Sequence, residues 1–138
     1  MDASATVTRF EVRPGPGRPD PRGEAIAKAA SCLLAAESGA VRLARSCRVY
    51  LVEGVLSEAQ SRLACEGLLR DPVLEVGTIG ALPPEPGSSV VEVHPLPGVM
   101  DPAGQSVETA LRELLGLGPE DPLAVSTGWR YDLVGVTS

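Results

Sequence analysis

The chain has 138 residues, enough for one ordinary domain or two small lobes, and 43% hydrophobic against 22% charged residues is a globular balance rather than a disordered one. A net charge of −6 argues against nucleic-acid or anionic-membrane partners, which need clustered Lys and Arg. The aromatics are Phe10, Tyr50, Trp129 and Tyr131 alone, so the core falls to Leu, Val and Ala and no platform for stacking bases exists.

Met1-Asp2-Ala3-Ser4 lacks the basic and apolar regions of a signal peptide, and no apolar run approaches the roughly 18 residues that span a bilayer. Cys32, Cys47 and Cys65 match no zinc or CxxC spacing and read as buried free thiols in a reducing compartment, which makes the expected location cytoplasmic.

Residues 1–6 read as a tail. Partial alternation over Val7–Arg13 predicts a half-buried strand, with Arg9, Glu11 and Arg13 on a solvated face whose ion pairs are worth little each. Pro14-Gly15-Pro16-Gly17 then breaks regular pairing. At Asp20-Pro21 a helix starts: the carboxylate accepts from orphan amides of the first turn and proline suits the first helical position. Ile26, Ala29, Ala30, Leu33 and Leu34 form its apolar stripe, and Glu37-Ser38-Gly39 its exit.

A strand centred on Val49-Tyr50-Leu51-Val52 lies within residues 41–53. Ser57 with Gln60 forms a capping box for a helix burying Leu63, Ala64, Gly67 and Leu68, and Asp71-Pro72 ends it before a strand over residues 73–79. Residues 81–89 are a proline-stiffened linker. A strand over 90–94 follows, then a helix over 102–115 opened by Asp101-Pro102 and closed by Gly116 and Gly118. Its stripe is Val107, Ala110, Leu111, Leu114 and Leu115. The last strand runs from Leu123 to about Val136.

The second half repeats the first. Residues 10–26 and 91–107 share eight of 17 positions at an offset of 81, among them Pro16, Gly17, Asp20, Pro21 and Gly23 against Pro97, Gly98, Asp101, Pro102 and Gly104. Further on, residues 130–134 match 48–52, and Gly135-Val136-Thr137-Ser138 matches Gly54-Val55-Leu56-Ser57. The expectation is an α+β protein: a complete β-α-β-α-β lobe over 1–80, a linker over 81–89 and an incomplete lobe over 90–138, each with an antiparallel sheet and helices on one face. The second lobe lacks counterparts of Glu58 to Gly80, so apolar surface is expected to stand exposed there, covered by a continuation of a longer protein or by another subunit. The stripes predict that Leu33→Asp or Leu114→Asp unfolds a lobe.

No catalytic constellation emerges. His94 sits at a strand end with no second histidine or cysteine near it in sequence and would need an orienting partner to act as ligand or base, Asp20 and Asp101 are explained by capping, and the Pro/Gly turns lack a phosphate-loop arrangement. No metal or cofactor site is expected.

Two stretches carry a family resemblance. Leu96-Pro97-Gly98-Val99-Met100-Asp101-Pro102-Ala103-Gly104 and Leu68-Leu69-Arg70-Asp71-Pro72-Val73-Leu74-Glu75 resemble motifs of the PurS family, the small subunit of phosphoribosylformylglycinamidine (FGAM) synthase. The tandem arrangement is similar to the N-terminal region of single-chain synthases, where it stands in for a PurS dimer. The resemblance implies a PurS-like, ferredoxin-related fold and a non-catalytic assembly part of a carbon–nitrogen ligase of purine biosynthesis. The partners it implies are the synthetase part, where ATP and Mg are expected, and the glutaminase part, with homo-oligomerisation an option; it carries no catalytic residue to this chain. The alternative is a tandem ferredoxin-like regulatory module binding a small metabolite between its lobes.

Overall fold

The computed structural model describes residues 6–34 and 41–135; the expected exit at Glu37–Gly39, residues 1–5 and the end from Val136 to Ser138 lie outside them. The order is β1 (Val7–Pro14), α1 (Pro21–Leu34), β2 (Leu43–Glu53), α2 (Glu58–Ala64, running on as a π-helical turn Cys65–Leu69), β3 (Glu75–Ile79), β4 (Ser88–Val93), α3 (Pro102–Leu115) and β5 (Ala124–Val134). The class is α+β. The strands do not form one sheet per half, as the sequence suggested. They join into a single antiparallel sheet in the order β3-β1-β2-β5-β4.

The join is made at the repeat. α1 and α3, and likewise β2 and β5, are related residue for residue by the offset of 81, so Tyr131 corresponds to Tyr50 and not, as the sequence matching had it, to Val49. β1 pairs with β2 in the same relative register as β4 with β5: Phe10 faces Tyr50 and Val91 faces Tyr131. Between the halves Arg48 faces Trp129, its own repeat equivalent. A local two-fold axis therefore passes through that pair.

All the helices pack on the face that carries Phe10, Val12, Tyr50 and Val52. These residues form the core with Ala64, Cys65, Leu69, Leu111 and Leu123. Burial of a side chain of this size contributes about 1.5–3 kcal/mol. The π turn adds a residue and rotates the end of α2, so Cys65 and Leu69 face inward while Leu63 and Gly67, expected inside, are exposed. β3 begins at Glu75 rather than 73 because the Asp71 carboxylate holds the Val73 and Leu74 amides in a turn (2.8 and 2.9 Å).

Both helix starts use one device. Asp20 accepts from the Gly23 amide (2.9 Å), the Ser46 amide and the Ser46 hydroxyl (both 2.6 Å). Asp101 accepts from Gly104 (2.9 Å), the Thr127 amide (2.7 Å) and the Thr127 hydroxyl (2.9 Å). Each carboxylate thus caps a helix and ties it to the neighbouring central strand. Glycine is required at positions 23 and 104 because a Cβ there would run into the Ala44 and Val125 carbonyls.

Candidate functional site

Along β1, Arg9, Glu11 and Arg13 point away from the helices. The sequence reading made this a solvated face; the structure corrects it. Glu11 is fully buried and Arg130, on β5, is 3% exposed. The reason is the linker. After Gly80 the chain crosses this face of the sheet from the β3 edge to the β4 edge, and Leu82 lies over Glu11 and Arg130: its amide donates to the Glu11 carboxylate (3.0 Å) and its carbonyl accepts from Arg130 (2.8 Å).

Beneath the linker, Glu11 accepts from Arg9 (2.7 Å), Arg130 (3.0 Å) and Arg13. Arg130 is held in turn by both oxygens of Asp132 (2.8 and 3.0 Å), and Arg9 by both of Glu92 (3.0 Å each). Glu92, the repeat equivalent of Glu11, also meets His94 Nε2 at 2.8 Å. Burial alone would push the Glu11 carboxyl up, but the Leu82 amide with Arg9 and Arg130 outweighs it and holds the group below the usual carboxylate range. Arg9 chiefly holds Glu92 down as well. Three carboxylates face three guanidiniums in an ionic lattice, in which the buried Arg13 Nε is left without a partner among the described residues.

Beside this lattice the linker leaves a cavity of about 410 Å³, lined among others by Arg13, Arg18, Arg45, Cys47, Glu85 and Asp132. The volume is in the range of small-molecule pockets, about 300–1,000 Å³. Cys47 lies at its floor, and burial pushes the thiol up to about 11, so it is protonated and a poor nucleophile at neutral pH. Of the other thiols Cys65 is buried, whereas Cys32, expected inside, is exposed. A smaller cavity of about 170 Å³ lies on the helix face by Trp129, Arg48 and Glu75. There Arg22 stacks on the Trp129 ring at 3.8 Å, and Arg48 bonds Glu75 at 2.8 Å.

The residues singled out in the sequence are spread over both faces. Pro16, Gly17 and Asp20 line the rim of the larger cavity, and Pro21 the smaller one. Pro97 and Gly98 form an exposed turn. Pro102 opens α3 at its first position, and Ser57 caps α2 in a capping box with Gln60 (2.9 and 3.0 Å). Asp20 and Asp101 are each filled by their own helix and strand, so they form no dyad. The lattice around Glu11 and Arg130 was missed, although Arg9-x-Glu11-x-Arg13 and Arg130-x-Asp132 place their charges on single strand faces. Among the described residues no group of three or more His, Cys, Asp or Glu is placed to hold a metal ion, and no helix is long and apolar enough to cross a membrane.

Compared with known proteins, the chain matches no family model, no curated protein and no solved structure.

Proposed function

We propose that the chain is a non-catalytic, cytoplasmic assembly domain of the PurS type, which brings together the synthetase and glutaminase parts of an FGAM synthase. The supporting observation is the local two-fold through Arg48 and Trp129: two halves built on one plan meet strand to strand, as two copies of a small subunit would. The stretches that carry the resemblance are both passages between elements. The Pro97–Gly104 stretch is the turn into α3, and Leu68–Glu75 the passage from α2 into β3. On the helix-free face Glu11, Arg9, Arg130, Asp132 and Glu92 are engaged with one another, which suits a scaffold.

The test is glutamine-dependent amidine formation with synthetase and glutaminase parts supplied, with and without this chain. The reading expects that activity to need the chain while ammonia-driven synthesis changes little. Equal rates with and without the chain, and elution of the chain alone from a sizing column, would reject it.

The cavity beside Cys47 favours a second reading, a regulatory module for a small metabolite. That reading requires saturable binding of a metabolite to the isolated chain, weakened by Arg45→Ala.

A further inference from the structure

The two halves differ in one respect that the repeat makes measurable. On β1, Phe10 and Val12 are 0% and 1% exposed beneath α2, its π turn and β3. Their equivalents on β4, Val91 and Val93, are 45% and 55% exposed, and the outer edge of β4 has no strand partner among the described residues. On α1, Leu33 is 83% exposed, where its equivalent on α3, Leu114, is 39% exposed. An apolar strand with an open edge is a template for another chain.

We propose that the β4 strip is a docking surface for one kind of occupant: a partner segment folded as an amphipathic helix followed by a strand. It seats on β4 as Glu58–Ile79 seats on β1. Because β4 and β1 hold the same register against their central strands, the covered half specifies the fit. The incoming strand pairs antiparallel with β4, as β3 does with β1, where Phe10 faces Ile79 and Val12 faces Gly77. The residue facing Val93 must then be very small. On the covered side a Cβ at Gly77 would come within 2.7 Å of Cys65 Sγ, so glycine there lets the helix approach the strand. The helix carries small apolar side chains at the positions of Ala64 and Cys65, and a leucine at that of Leu69. Among the described residues of a second copy, the one such unit, Glu58–Ile79, is already seated on that copy's own β1. The inference rests on the repeat and stands apart from the assembly reading above.

A second copy of residues 58–80, fused after Ser138, tests the fit within one molecule. In the fused chain Trp129, the only tryptophan and the residue facing Val93 on β5, is expected to emit at shorter wavelength. The β4 amides are expected to exchange at least about tenfold more slowly, and Tm to rise. Val93→Asp is expected to cancel all three gains in the fused chain while leaving the melt of the unfused chain unchanged. A fused chain that folds with the Trp129 emission, β4 exchange and Tm of the original overturns the proposal. So does an unfused chain that runs as a dimer dispersed by Val93→Asp, which would assign the surface to a second copy. Should the fused chain not fold, titration of the original chain with a peptide of residues 57–80 decides: a saturable blue shift lost in Val93→Asp supports the proposal, and a flat titration rejects it.

Discussion

Glu11 and Glu92 are the same position of the repeat, as are Phe10 and Val91, and Asp20 and Asp101. The aspartates behave alike in both halves, down to the choice of partners three and 26 residues on. The other two pairs do not. Glu11 is sealed under Leu82 while the side chain of Glu92 is a third exposed, and Phe10 is core while Val91 is surface. A short motif specifies its own cap and turn, because every group involved lies within a few residues or on the adjoining strand. Burial is decided by what crosses over a residue later, and that differs between the halves.

The comparison can be broken at its largest contrast. Phe10→Ala is expected to cost about 3–5 kcal/mol through lost burial and a cavity, whereas Val91→Ala should stay within about 0.5 kcal/mol; paired urea melts of the two variants read the difference. Glu11→Gln should cost a comparable ~3–5 kcal/mol, since it leaves Arg130 buried without its counter-charge. It should also flatten the acid limb. The folded-state pKa of Glu11 is depressed, so its stabilisation is complete above the unfolded value of about 4.3 and is lost as pH falls through the lower folded value. Melts between pH 7 and pH 3 are expected to show wild type losing more stability than Glu11→Gln. Equal slopes would remove Glu11 from the ionic lattice.

Smaller effects sharpen the likeness. Asp20→Ala and Asp101→Ala should each cost about 0.5–2 kcal/mol, and by similar amounts, since both lose a cap and a tie to the central strand. A several-fold disparity would show that the two starts are not equivalent. The smallest change is expected from Leu33→Asp. The apolar stripe of α1 predicted unfolding, but Leu33 is 83% exposed, so its melt should shift by no more than about 0.5 kcal/mol.

Elements whose signals are local could be read from the residues: the proline-opened helices, the capping box at Ser57 and the Gly116 exit, which takes φ of 68°. The repeat also foretold an uncovered strip in the second half. What could not be read depends on long-range placement. Nothing in β2 or β5 alone says that they pair with each other, because a half-buried strand has the same alternation in a small sheet as in a joined one. The burial of Glu11 required knowing that the stretch expected as a linker over 81–89 lies across the sheet, with Leu82 over Glu11. Helical spacing in α1 and α3 is equivalent, yet Leu111 meets the core beneath α2 while Ala30 meets no such cover. The charged lattice was hidden for the same reason: its parts come from β1, β4, β5 and the linker.

The pairing of Arg48 with its own equivalent has a consequence for how molecules of this protein interact while folding. A seam that is symmetric in register is self-complementary, so β2 of one molecule presents the edge that β2 of another would accept, and β5 likewise. The halves become covalent neighbours only through Gly80–Gly87. At high concentration, refolding chains therefore have an exchanged dimer within reach, in which each seam is completed by a neighbour. Dilution during refolding, or lengthening the crossing so that it closes back on its own molecule without strain, selects the closed monomer.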